Sequence, residues 1–211
     1  MKNKLPYLLL LLIVGIILLH PQLSYQSFLS TGDHGRDLYA AEATMHGARP
    51  YHDYWWVYGP LMPYYYALTF KIFSVSIPSI LLAKMLLKLL SGFLIFSILS
   101  LYTPLLFSFL GSLWFWAFQE DFFFTYNHEG GLFLFLMATL CLLKYFQTQK
   151  EKYLYGALLS AYLLALVKIN FGVGLLLFSP LCVFFFDWTQ KLPFTRAKRI
   201  FYIINVVTLF L

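Results

Sequence analysis

The side chains able to do chemistry in this chain gather in two stretches. Asp33, Asp37, Glu42 and Asp53 fall between residues 20 and 58, and Glu120, Asp121 and Glu129 fall just ahead of residue 131. Seven of the nine acidic residues therefore lie in two short segments. All five histidines, His20, His34, His46, His52 and His128, lie in or beside the same segments. Carboxylates there could take up or deliver a proton, and carboxylates with imidazoles could hold a divalent metal. No spacing of the His-Glu-x-x-His kind marks a dedicated metal motif, so no cofactor is expected, with a divalent ion as the minor reading. Each group also has a plain structural use. Asp33 or Thr31 can cap a helix start, Asp53 can pair with Arg49, and Asp37 and Glu42 can form a solvated face or pair with Arg36 and His46.

The elements that must position these groups are apolar. Of 211 residues, 61% are hydrophobic and 11% charged, with aromatics at 21%. Soluble domains carry roughly a quarter charged residues, so the composition excludes both disorder and an ordinary soluble domain. Apolar runs cover residues 5–19, about 60–75, 79–101, 104–118, 131–146, 154–167 and 171–186, and another begins near 200. Several are close to the roughly 20 residues that a spanning helix needs. The expected fold is all-α, a polytopic transmembrane helical bundle forming a single domain over 1–211, embedded in a lipid bilayer. Because the run from Ile200 stops at Leu211, partway through a span, the chain reads as the N-terminal part of a longer protein. Cys141 and Cys182 sit inside apolar runs and read as small core hydrophobes.

Charge placement suggests sidedness. Lys2 and Lys4 precede the first run, Lys144, Lys150 and Lys152 separate two others, and Lys191, Arg196, Lys198 and Arg199 precede the last. Basic residues of this kind mark the cytoplasmic side, so the net charge of +6 is not a nucleic-acid signal. The acidic segments then face outward, in the plasma or inner membrane of the cell. An even number of crossings must separate the two acidic segments, yet three apolar runs lie between residues 60 and 118. An interfacial or re-entrant run among them would restore the parity, and the short 104–118 run with Trp114 and Trp116 suits an interface. Lys84 and Lys88 share one helix face at i and i+4, and are expected to snorkel to the membrane surface.

The first outer loop, residues 20–58, carries its own helix. Thr31 to Gly47 has an apolar stripe of Leu38, Ala41 and Met45, with Gly47 fitting its C-terminal end. Such a helix lies along the membrane surface rather than across it. An aromatic, turn-rich run from Tyr51 to Tyr66 follows. Its bland reading is an interface belt, and stacking on a sugar is the second.

In this loop the sequence resembles a known family. Asp33, Tyr39, Ala40 or Ala41, Gly47, Pro50, Tyr51, Asp53, Pro60 and Leu61 follow one another in the order D, Y, A and then G-x-x-P-Y-x-D, followed by aromatics and Pro-Leu. This is similar to the GT-C glycosyltransferases, above all to glycosyltransferase family 39, with protein O-mannosyltransferases and lipid A aminoarabinose transferases as relatives. The stretch from Leu164 to Gly172, with Lys168, is similar to the family's apolar helix ending in a lysine and a turn. Asn127 to Gly131, with Glu129, is a weaker match ahead of a span. Asp33-His34 stands where relatives often have Asp-Glu, and Tyr58-Gly59-Pro60-Leu61 where many have Lys-Pro-Pro.

The resemblance implies an inverting transferase that moves a sugar from a polyprenyl-phosphate donor to a hydroxyl of a protein, lipid or glycan acceptor on the outer face. It implies Asp33 as the base with Glu129 as a second catalytic acid. Lys168, with Arg36 and Arg49 behind it, would hold the donor phosphate, and His34, Tyr51, Asp53 and Tyr58 would contact substrate. The alternative is a non-enzymatic polytopic protein, a transporter, flippase-like subunit or scaffold for a lipid-linked sugar. A transporter usually carries ionisable groups near the bilayer midplane, whereas here the acids gather in loops.

Overall fold

The computed structural model describes residues 4–23, 33–117 and 127–208, the side chains of residues 22, 33, 34, 197, 206 and 208 excepted. Among the described residues the chain is helical throughout: α1 (Leu5–Leu19), a 3-10 turn (His20–Leu23), α2 (Asp33–Met45), α3 (Leu61–Phe73), α4 (Ile77–Leu99), α5 (Leu105–Ala117), α6 (Asn127–Thr148), α7 (Lys152–Ala165), α8 (Ile169–Thr189) and α9 (Arg196–Thr208). The only β-type pairing among them is a single bridge between Pro50 and Tyr54. The apolar runs read from the sequence all become helices. Three of them, α4, α6 and α8, are long and apolar enough to cross a membrane, while α1 and α5 are apolar but shorter. The chain packs as two compact units, residues 1–133 and 134–211, with the division inside α6.

In the first unit α1, α4 and α5 share a core of Leu11, Leu19, Leu89, Phe96, Leu105, Phe109 and Trp116. Their directions follow from which residues meet. Lys4 Nζ donates to Ser100 Oγ at 2.8 Å, Tyr7 packs on Phe96, and Gly15 lies against Leu89 and Trp116, so α1 and α4 run antiparallel. Ser112 Oγ donates to the Gly92 carbonyl at 3.0 Å and Trp116 Nε1 to the Lys88 carbonyl at 2.9 Å, so α4 and α5 are antiparallel too. Glycine allows the closest approaches: Gly92 lies flat beneath the Trp116 indole, and Gly111 takes the Leu99 side chain. Backbone contact at small residues is how helices gain packing when lipid removes the hydrophobic drive between them.

The two tryptophans of the 104–118 run differ: Trp116 is 3% exposed with its N–H spent on α4, whereas Trp114 is 66% exposed. The 104–118 run is therefore a packed hairpin partner of α4. The run that doubles back is α3. Tyr65 Oη donates to the Ala83 carbonyl at 2.9 Å and Ser79 Oγ to the Phe73 carbonyl at 3.1 Å, so α3 lies antiparallel along the first half of α4 only. Ser74, with φ of 78°, makes the reversal, and Ser76 caps α4 by accepting from Ser79 N. Helix α2 packs along α3.

The second unit joins the end of α6 to α7, α8 and α9 around Tyr145, Leu154, Leu158, Ala161, Leu176, Val183 and Phe201. Gly172 lets α8 touch the backbone of Ala165 on α7. Lys198 belongs to the basic cluster read as a cytoplasmic marker, yet it is 4% exposed. Its Nζ lies 2.8 Å from Asp187 Oδ2 and donates to the Pro193 carbonyl at 2.9 Å, while Tyr145 Oη donates to Asp187 Oδ1 at 2.6 Å. The cation is held inside because a carboxylate and a carbonyl meet it there, with the Tyr145 ring 5.9 Å from its Nζ. Cys141 is half-buried and Cys182 exposed, both as free thiols.

Candidate functional site

The first loop is built on α2. Gly47, at φ of 98°, ends the helix in the left-handed region that glycine enters without cost. The chain then closes a tight turn, with Asp53 N donating to the Arg49 carbonyl at 2.9 Å and Tyr51 N to the Tyr54 carbonyl at 3.0 Å. Tyr51 sits at φ of 67°, a strained position for a residue with a Cβ. Its hydroxyl donates to the Tyr58 carbonyl, which ties the turn to the segment leading into α3.

Behind the turn the aromatics interlock edge to face: Tyr39 on Tyr54 at 6.0 Å, Tyr54 on Trp56 at 6.3 Å, Trp56 on Tyr58 at 5.9 Å. Thr44 Oγ1 and Tyr54 Oη share a hydrogen bond at 2.7 Å, and Trp56 Nε1 donates to the Gly59 carbonyl. Burial pushes the Tyr54 hydroxyl above its ordinary pKa. Arg36 lies over both Trp56 and Tyr58, 5.5 and 5.2 Å from the ring centres, and its Nε and Nη2 both reach Asp37 Oδ1 at 3.1 and 3.0 Å. Asp37 is 4% exposed. This guanidinium is fixed by a carboxylate and two ring faces, so it serves the platform itself.

The outward side of the turn is polar. Asp53 Oδ2 accepts from Arg49 N at 2.7 Å, and its Oδ1 lies 2.5 Å from His52 Nδ1. Arg49 Nη2 is 3.4 Å from the same nitrogen. The far shorter carboxylate contact decides the tautomer: Nδ1 carries the proton and Nε2 is left as an acceptor. The His52 hydrogen bond, then the Arg49 N–H, hold the Asp53 carboxyl below its ordinary value of 3.8.

Glu129 lies near the start of α6, with its carboxylate 3.7 Å from Lys84 Nζ and 3.9 Å from Lys88 Nζ. The two lysines do not snorkel; Lys84 is 9% and Lys88 1% exposed. A shared carboxylate lets two cations stay on one face of an apolar helix. Gly130, next to Glu129, approaches Met62 Sδ so closely that a Cβ would meet it at 2.4 Å. Asn127 is 1% exposed with neither amide atom hydrogen-bonded.

No protein-family model, curated protein or solved structure matches the chain. The reading of its site therefore rests on the residues themselves.

The expected residues fall into separate groups. Arg49, Tyr51 and Asp53 share the turn, joined by His52, and Arg36 and Tyr58 share the aromatic platform behind it. Glu129 belongs with Lys84 and Lys88. Asp33 opens α2 and His34 follows it, but their side chains lie outside the described residues. Lys168 belongs to the second unit, in extended conformation just before α8, with Nζ 5.3 Å from the centre of the Phe171 ring. Phe171 in turn lines an open apolar cleft of about 370 Å³ with Phe135, Asn170, Gly174, Leu175 and Phe178. Among the described residues no three His, Cys, Asp or Glu side chains converge as a metal site would require. Sequence reasoning missed the Lys84–Glu129–Lys88 cluster and the His52–Asp53 pair. The signal for the first was a lysine pair at i, i+4 inside an apolar helix.

Proposed function

We propose that the protein is an integral membrane glycosyltransferase of the GT-C kind, moving a sugar with inversion from a polyprenyl-phosphate donor to an acceptor hydroxyl on the outer face. The observation that carries the reading is the first loop itself. Its charged and aromatic side chains form a built platform packed along α3, at the end of the first unit opposite the Lys4–Ser100 contact. Chemistry at a membrane surface needs such a platform, and a pathway through a bilayer does not. In this orientation two crossings separate the acidic loops, and α4 is long and apolar enough to be one of them.

The hydroxyl oxygen attacks the anomeric carbon as the bond to the phosphate oxygen breaks, and the lipid phosphate leaves with the bonding electrons. The hydroxyl proton passes to a base, the role that the resemblance implies for Asp33. Lys168 lies over the ring of Phe171, which lines an apolar cleft of the second unit, and a cation beside a greasy wall suits a lipid phosphate. Arg36, whose guanidinium is engaged by Asp37 and two rings, is a poor partner for a phosphate. Glu129 beside two lysines suits a fixed anion rather than a group that exchanges protons.

The second reading, a transporter or scaffold for a lipid-linked sugar, is favoured by one observation. Lys84 and Lys88 are buried charges within a candidate span, a placement that usually marks a transport pathway. Release of polyprenyl phosphate from a panel of polyprenyl-phosphate sugars, in membranes containing the protein, separates the two. The transferase releases it and Asp33→Asn, which keeps volume but removes the proton acceptor, abolishes release. Release undiminished in Asp33→Asn refutes that base, and no release from any donor by well-inserted wild type refutes the transferase.

A further inference from the structure

The aromatic run after α2 divides into two halves. Trp56 is 5% exposed and, with Tyr54 and Tyr58, forms the foundation, whereas Trp55 is 72% and Tyr51 56% exposed. Placing a tryptophan in the open beside its buried neighbour costs apolar surface, and the fold does so on a turn that is tightly fixed. The Asp53 and Tyr51 backbone hydrogen bonds, the Tyr51–Tyr58 tie and the strained φ at Tyr51 all hold it. Strain held by surrounding contacts is what a preset binding surface requires. Exposed on the same turn are one cation, Arg49, one anion, Asp53, and one imidazole, His52, whose Nε2 is kept as an acceptor by the bond at Nδ1.

This set matches one ligand chemistry. A sugar ring has an apolar face of C–H groups and a rim of hydroxyls that both donate and accept. The Trp55 indole offers a flat apolar surface, Arg49 donates, and Asp53 and His52 Nε2 accept. The ion pair has no net charge, so the turn has little attraction for an anionic lipid surface or for nucleic acid. We propose that the Arg49–Trp55 turn is a saccharide-binding ledge that seats the acceptor, with Trp55 stacked on a sugar ring and Arg49, His52 and Asp53 bonded to its hydroxyls. The inference rests on the transferase reading and narrows the acceptor to a carbohydrate rather than a protein side chain.

The test uses the whole chain in nanodiscs of zwitterionic lipid. Binding of linear gluco-, manno- and chito-oligosaccharides is titrated by calorimetry for wild type, Trp55→Ala and His52→Gln. Both side chains are exposed, so neither variant disturbs the core. Saturable binding by wild type is expected, weakened tenfold or more in Trp55→Ala and severalfold in His52→Gln. In transfer assays with the same saccharide, the variants raise the acceptor KM and leave kcat near wild type. Binding by no member of the panel, or equal binding by Trp55→Ala, overturns the ledge. So does tryptophan emission quenched by brominated lipid in wild type but not in Trp55→Phe, which would place Trp55 in the membrane interface. Saccharide binding without any release of polyprenyl phosphate would keep the ledge and refute the transferase. Release with an acceptor KM unchanged in Trp55→Ala would do the reverse.

Discussion

The packing of α1, α4 and α5 makes a sharp prediction at Gly92. A Cβ added there would lie 2.2, 2.3 and 2.4 Å from Cε2, Cζ2 and Nε1 of Trp116. The indole cannot simply retreat. Its other edge faces Gly15 of α1, where a Cβ would meet Cη2 at 2.5 Å, and its N–H is bonded to the Lys88 carbonyl at 2.9 Å. Gly92→Ala must therefore displace the ring, overpacking the α1–α4–α5 core at a cost of about 1–3 kcal/mol. Pulling Nε1 from its carbonyl leaves a buried donor unsatisfied and adds about 1–3 kcal/mol. A combined loss of about 3 kcal/mol is expected, read as equilibrium unfolding in mixed micelles. The control is the same substitution in a Trp116→Phe background, where the smaller ring leaves room and the cost of Gly92→Ala should fall by at least about 1 kcal/mol. A Gly92→Ala protein as stable as wild type, or an equal loss with and without Trp116, would refute the wedge and with it the antiparallel register of α4 and α5.

Two further outcomes follow from the charged groups. Glu129→Gln removes the carboxylate that Lys84 and Lys88 share, and should cost about 3–5 kcal/mol. Lys84→Met in the same chain should recover part of it, whereas a variant stable but inactive would return Glu129 to a catalytic role. Asp53 should titrate below 3.8. Since its pKa is depressed in the folded turn, the stabilisation is present above the unfolded value and is lost as pH falls through the folded one. Carboxyl-carbon NMR shifts should show the midpoint rising in His52→Gln, and an unmoved midpoint would mean that the imidazole does not hold the carboxylate.

The helices were legible because unbroken apolar runs between turn residues leave the backbone few other choices. Gly47 marks the end of its helix by type alone. What the run lengths could not carry was which helix packs on which. The 104–118 run and α3 look alike as short apolar segments, and the difference lies in a single indole N–H on the Lys88 carbonyl and a single phenol on the Ala83 carbonyl. Lys84 and Lys88 read as surface-seeking because their counter-ion comes from another helix, and Lys198 read as a surface marker because its counter-ion, Asp187, likewise lies on a different helix. In the loop, residue types named a stretch whose charged and aromatic side chains the structure brings together. Only the geometry separated Arg36, spent on holding the platform, from Arg49, which remains outward.

The packing of α3 bears on function as well. It lies along the first half of α4, and α2 packs along α3. The loop is thereby fixed to α4, the helix that also carries Lys84 and Lys88. Tyr65, through its bond to the Ala83 carbonyl, sits one residue from Lys84 on that helix. The loop platform and the buried ionic cluster are thus anchored to consecutive residues of one rigid element. A surface enzyme gains from such an arrangement, because groups that meet a lipid headgroup must keep their height relative to the membrane, and a 23-residue helix supplies that reference.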